Sequence, residues 1–262
     1  MRKVYICEDC VTGILSAIHD AWKDNIEEGQ GSIGLKGSLE QELFCTYDEV
    51  RESERKAIGV EKMIIRHLGM NVYWDIYHAM LSRDKAKGTA ILNTMLAAKK
   101  LSNSKKIMEH LSNPMVEKVF ELSRNVGGEA HALTGFVRFR ELENGVLYSE
   151  ISPKNRILTC IAPHFADRLS TENWMIYDKT YGEVAVHEAK KRWILVSGES
   201  LDMERVQCVS EKEREFSKLW KSFCDTIAVE ERTNPKCQMQ HLPLWYRENM
   251  VEFPDHIKNM LY

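Results

Sequence analysis

The 262-residue sequence predicts an α+β fold, with a mainly helical first half and a second half in which a mixed or antiparallel sheet carries packing helices. Three observations carry that expectation. Apolar side chains recur at helical spacing from Thr46 to Gly127, the apolar period shortens to two from Gly135, and Asn144-Gly145 separates two alternating runs as a hairpin turn would. The change of period divides the chain into residues 1–128 and 129–262, read either as two domains or as the halves of one continuous domain.

Taken in order, residues 2–7 (RKVYIC) alternate as a short strand, and Gly13 to Trp22 then read as an amphipathic helix. The stretch GQGSIGLKGS is rich in glycine and lacks P-loop spacing, so it reads as a loop without a phosphate cradle. Thr46 to Glu49 fit a capping box, Tyr73, Ile76, Tyr77, Met80 and Leu81 share one helix face, and Asn113-Pro114 is a cap followed by proline in the first turn. In the second half, GFVRFREL and GVLYSEIS pair as a hairpin, and a helix follows from Ser152-Pro153. Pro163 kinks or restarts that helix. NWMIYD, GEVAVHE and RWILVS add strands, and Ser210 with Glu213 caps a helix bearing Phe216, Leu219, Trp220 and Phe223. An extended polar loop then leads to a short helix near Trp245.

Composition narrows the function classes. With 44% hydrophobic and 29% charged residues, 14 Gly and 6 Pro, the chain is neither collagen-like, low-complexity nor membrane-spanning. Seven cysteines and no apolar leader imply a cytoplasmic protein with reduced thiols. Cys7 and Cys10 form a lone C-x-x-C without a second pair, so they read as structural thiols at a strand-to-helix junction, and no metal is expected. The formal net charge of −3 offers polyanions no overall attraction. It conceals an uneven distribution, because residues 1–60 hold 7 basic and 12 acidic side chains whereas residues 61–128 hold 11 and 6.

Several constellations could carry chemistry. Alternation places Phe136, Arg138 and Arg140 on one sheet face, an aromatic beside two guanidiniums suited to a base and its phosphates; the same arginines could instead pair with Glu141 or Glu150. His164 and Arg168 are four apart on one helix, and a restart at Pro163 would put His164 in a first turn, where unbonded N–H groups favour anions. Asp178 with Glu188 and Lys190 superficially fits the acidic core of a metal-dependent nuclease. The stretch holding Arg232, Asn234, His241, Trp245 and Tyr246 is dense in hydrogen-bonding and aromatic groups, as ligand-binding loops are.

Ordered blocks also carry a resemblance. They are Tyr5-x-Cys7-Glu8 with Gly13-Ile-Leu-Ser-Ala17, Glu129-Ala-His131 with GFVRF, APHFADR over 162–168, WMIYD over 174–178, Arg232-Thr-Asn-Pro, and Gln240-His-Leu-Pro. In these the chain resembles a bacterial family of DNA-metabolism proteins whose genes lie beside that of a radical SAM protein of DNA modification or repair. The same domain occurs fused to uracil-DNA glycosylase-like domains. The resemblance implies a DNA context and a radical SAM partner, and it marks His131, Arg138, His164, Arg168, Asp178, Arg232, Asn234 and His241. Glu188 and Lys190 fall outside its blocks.

The expectation is an accessory protein of DNA repair or modification that binds nucleic acid or a damaged nucleotide through Phe136, Arg138, Arg140, Arg168, Arg232, Asn234, His241 and Trp245. It would hold no cofactor of its own, since the chain has no C-x₃-C-x₂-C and the partner would supply the iron–sulfur cluster. One alternative is a hydrolase or nuclease using His164, His131 or the trio of Asp178, Glu188 and Lys190; another is a pure protein-interaction partner.

Overall fold

Alternation in Arg2–Cys7 produces strand β1, the centre of a three-stranded sheet in the computed structural model, which describes residues 2–38, 43–202 and 204–253. The chain divides into two compact units, Met1–Gly128 and Glu129–Tyr262. In the first, β1 leads into α1 (Val11–Lys23) and then into β2 (Gly31–Leu35), which lies parallel to β1 with Tyr5 opposite Ile33. Half of the glycine-rich stretch expected to be a loop, Gly31–Leu35, is therefore a largely buried strand. On the other edge β3 (Cys45–Glu49) is also parallel to β1. Thr46 thus sits within a strand and caps nothing. The following helix, α2 (Glu54–Leu68), begins instead after Ser53, whose N–H donates to Ser16 Oγ at 3.0 Å.

Helices α3 (Met70–Leu81), α4 (Lys87–Ala98) and α5 (Pro114–Phe136) follow, with a 3-10 turn at Ser104–Glu109. One sheet face, with Tyr5, Cys7, Ile33 and Leu35, packs into a core with Ile14 and Ile18 of α1 and with Ile91, Leu92 and Met95 of α4. Lys87 is almost wholly buried and ion-paired to Asp9 at 2.6 Å, with a second bond to the Ser82 carbonyl. A charge taken out of water needs such partners.

The second unit holds a five-stranded sheet in the order β4-β5-β6-β7-β8, formed by Arg140–Glu141, Leu147–Ile151, Trp174–Asp178, Glu183–His187 and Ile194–Ser197. Strands β5 and β6 are parallel and joined through α6 (Leu158–Arg168), whereas the other pairs are antiparallel. The sheet is therefore mixed, and the fold is α+β. Helix α6 lays Leu158, Ile161, Ala162 and Phe165 against β6 and β7.

Three local expectations are corrected here. GFVRF is not a strand: α5 runs through Phe136, because Leu133, Phe136 and Val137 also satisfy helical spacing, and the hairpin pairs only Arg140 and Glu141 with Tyr148 and Leu147. Helix α6 begins at Leu158 rather than Ser152, and Pro163 lies inside it without ending it, so His164 is not in a first turn. The 230–246 stretch is not extended, since Asn234 caps α8 (Pro235–His241) and α9 (Leu244–Arg247) follows. Helix α7 (Glu211–Ile227) starts at Ser210 as expected, the serine hydroxyl accepting the Glu213 N–H at 3.1 Å. Among the described residues no helix is long and apolar enough to cross a membrane.

Candidate functional site

A polar arrangement in the second unit surrounds the segment between β5 and α6. Glu129 of α5 is buried, and its carboxylate accepts the N–H groups of Lys154 (2.7 Å) and Asn155 (3.0 Å) and the Asn155 side-chain amide (2.7 Å). Three donors on one charged acceptor fix this segment firmly. The Tyr181 hydroxyl adds a bond to the Lys154 carbonyl at 2.6 Å.

With its backbone held from both sides, Lys154 places its ammonium 4.0 Å from the centre of the Trp245 ring, a cation–π distance. Trp245 is 41% exposed, and its ring stands 5.5 Å from that of Tyr246, which lies 5.2 Å from Phe136 at the end of α5. Burial pushes the Tyr246 hydroxyl up, and the nearby Glu129 charge adds to the shift. The result is a row of three aromatic rings with a cation over the exposed end.

Next to this segment, Arg156 donates to Glu183 at 2.8 Å and its guanidinium lies 4.5 Å from the Tyr181 ring centre. Glu183 is the register partner of Asp178 across β6 and β7. Asp178 is fully buried; its Oδ1 accepts the Thr180 and Tyr181 N–H groups of the following turn, at 2.8 and 3.2 Å, while Oδ2 has no hydrogen-bond partner in the protein. Burial pushes the acid up to about 7 against the pull of those two N–H bonds, Glu183 pushes it further and Arg156 opposes. Sealed from solvent, Asp178 shapes a turn and presents no atom to a substrate.

Arg138 and Arg140 are engaged separately. Arg138 holds Glu252 through Nε and Nη2 at 3.2 and 3.0 Å, and its Nη1 caps the end of α5 by donating to the Gly135 carbonyl. Arg140 donates to Glu150 at 3.0 Å, the sheet pairing that the sequence allowed. Both line a polar groove of about 350 Å³ with Lys221 and Glu248. Phe136, being helical, does not share a sheet face with them.

The remaining candidates share no described contact. His131, His164, Arg168, Arg232 and His241 are exposed, and Asn234 is spent on capping α8 through the Cys237 N–H at 3.1 Å. No hydrogen bond, ion pair or ring contact described joins any two of them. The nuclease trio is not assembled, because Asp178 pairs with Glu183 at one end of β7 while Glu188 follows its other end, roughly 16 Å away at a strand's rise per residue. Lys190 lies in a turn with φ of 64°, and Glu188 pairs with Lys191 instead. Among the described residues no three metal-binding side chains cluster.

Cys10 accepts the Gly13 N–H at 3.2 Å as the cap of α1, and burial pushes the Cys7 thiol up to about 12, so these thiols serve the strand-to-helix junction. Sequence reasoning missed Glu129, Lys154 and Tyr181 as a unit. Their signal was the Lys-Asn-Arg run directly after a strand, hidden when a helix was read from Ser152.

A family model described as a domain of unknown function, DUF4130, matches residues 85–252. No match was found among curated proteins.

Proposed function

The chain belongs to the DUF4130 family, and from the aromatic row of its second unit we propose that it binds single-stranded nucleic acid. One observation carries this reading: the exposed Trp245 ring, continued by Tyr246 and Phe136, lies beneath a lysine whose backbone is pinned by Glu129 and Tyr181. Unpaired bases stack on exposed rings whatever their identity, and a neighbouring cation neutralises the phosphate that follows. Because Lys154 is positioned in advance, little ordering is needed on binding. The resemblance to DNA-metabolism proteins supports DNA as the nucleic acid, and action beside a radical SAM enzyme that brings its own iron–sulfur cluster belongs to the same proposal.

Fluorescence anisotropy of labelled single- and double-stranded oligonucleotides at low salt tests the reading. Trp245→Ala removes a stacking surface worth about 1–3 kcal/mol and weakens single-strand binding on the order of tenfold. Lys154→Ala, which leaves the pinned backbone in place, weakens it less and flattens its salt dependence. Lys191→Ala, remote in sequence and paired to Glu188, leaves it unchanged. Absence of binding at low salt, or equal affinity in all three variants, rejects the proposal.

A further inference from the structure

Helix α7 presents an apolar face that the described residues of its own unit leave largely exposed. Phe216, Leu219, Trp220, Phe223 and Ile227 recur at helical spacing on one side, each between 44 and 65% exposed, and no residue of the helix is buried. The neighbouring side of the helix meets its own unit, where Glu213 accepts the Glu141 N–H at 3.2 Å and Phe216 and Trp220 edge a groove of about 390 Å³. Contiguous apolar surface of this kind on a soluble protein marks an interaction site.

We propose that this face is the self-association surface of the protein, occupied by α7 of a second copy running antiparallel to the first. The spacing of the stripe identifies the occupant. Phe216, Trp220, Phe223 and Ile227 are separated by four, three and four residues, a palindromic order. A two-fold axis between Lys221 and Ser222 therefore sets Phe216 against Ile227 and Trp220 against Phe223 of the second copy, so that four of the five apolar groups meet one another and Leu219 falls opposite Cys224, as an isologous interface allows.

Charge agrees with this. The helix carries Lys212, Arg214, Lys218 and Lys221 against Glu211, Glu213, Glu215 and Asp225, so a second copy meets no net repulsion. Helical geometry puts Lys218 and Asp225 on the side away from the stripe, Cys224 and Thr226 on its two flanks, and Lys212 and Glu215 at its N-terminal end.

Area sets the expected strength. Large side chains present on the order of 150–200 Å² each, so five about half exposed offer roughly 450 Å² per copy. Two copies bury about 900 Å² before the rim is counted, and the rim brings the interface to the lower end of the range for specific pairs. The stacking of Trp220 on Phe223, with centroids 5.8 Å apart, fixes the centre of the patch in advance. The dimer is therefore expected to dissociate on dilution.

Sedimentation velocity and light scattering on the full chain test this. At tens of micromolar the mass should be twice 30.4 kDa, falling toward that of one chain on dilution. Leu219→Glu with Phe223→Glu should yield a monomer of unchanged far-ultraviolet circular dichroism, and the milder Leu219→Ser should weaken association without altering the fold. Lys218→Glu, on the far side of the helix, should leave the dimer intact. A wild-type chain that stays monomeric at every concentration overturns the proposal, as does a dimer that survives the double substitution. Association that appears only when anionic vesicles or an oligonucleotide are added also overturns it, by making lipid or nucleic acid the occupant.

Discussion

At the scale of single residues, Asp178 is fully buried with one carboxylate oxygen that has no hydrogen-bond partner in the protein. Burial raises its pKa from an ordinary 3.8 to about 7, so the unfolded chain releases this proton at a lower pH than the folded chain does. The stability that the neutral acid contributes is therefore complete below about 3.8, declines as pH rises, and is lost above about 7. Asp178→Asn keeps an acceptor for the Thr180 and Tyr181 N–H groups and removes the ionisation. At about 1.4 kcal/mol per pH unit, the variant should escape a loss on the order of 4 kcal/mol across that window, about 3 kcal/mol of it above pH 5. Urea unfolding of both proteins between about pH 5 and 8 checks this, and parallel curves would show that the acid pays no such penalty. The sequence singled out Asp178 as a candidate for catalysis. What it could not reveal is that the groups meant to act with it, Glu188 and Lys190, fall beyond the opposite end of the neighbouring strand.

At the scale of elements, the legible parts were those whose period and capping residues agreed. Strand β1, helix α1, strands β6 to β8 and the Ser210 cap of α7 all satisfy local rules without help from distant contacts. Strand β2 failed that test because Gly31 within it and Gly88 of the helix packed against it serve packing. A Cβ on Gly31 would come within 2.7 Å of Ile26, and one on Gly88 within 2.8 Å of Ile33, so these positions let elements approach closely where the sequence suggests only flexibility. The end of α5 was misread for the opposite reason: GFVRF satisfies both periods, and tertiary context selects the helix through Phe136. The candidate site shares this dependence on context. Trp245 is visible as an exposed aromatic in a polar stretch, but the lysine above its ring is placed by Glu129, 25 residues before it in sequence and bonded to its N–H. Glu129→Ala leaves three donors without their acceptor, at about 1–3 kcal/mol for each that water cannot reach. We expect a loss of roughly 3 kcal/mol in urea unfolding together with weakened oligonucleotide binding, and Glu129→Gln, which retains one oxygen, should fall between the two. Unaltered stability in Glu129→Ala would mean that the segment is held by other contacts.

At the scale of the whole molecule, the family match and the division into units do not coincide. The matched residues 85–252 begin just before α4 and so take in the last part of the first unit together with nearly all of the second. Yet α4 has eleven of its twelve residues buried, and most of the residues it packs against lie in the segment before the match. Lys87 is paired with Asp9, the Asn93 side chain accepts the Gly29 N–H at 2.9 Å, and Thr89 exchanges hydrogen bonds with both backbone groups of Ile33. Ile91, Leu92, Met95 and Leu96 belong to a core that also contains Tyr5, Ile14, Ile18 and Ile33. At about 1.5–3 kcal/mol for each large apolar side chain, exposing those four side chains of α4 costs on the order of 10 kcal/mol, comparable to the entire stability of an ordinary domain. A chain cut to residues 85–252 should therefore bind a hydrophobic dye through an uncovered α4 and lose cooperative unfolding in that region. Strands β4 to β8 lie wholly inside the match and should keep their amide-exchange protection. If the shortened chain bound no dye and unfolded at the midpoint of the full one, α4 would have to be stable without the parallel sheet, and the core formed by Tyr5, Ile33, Ile91 and Leu92 would contribute little to holding the first unit together.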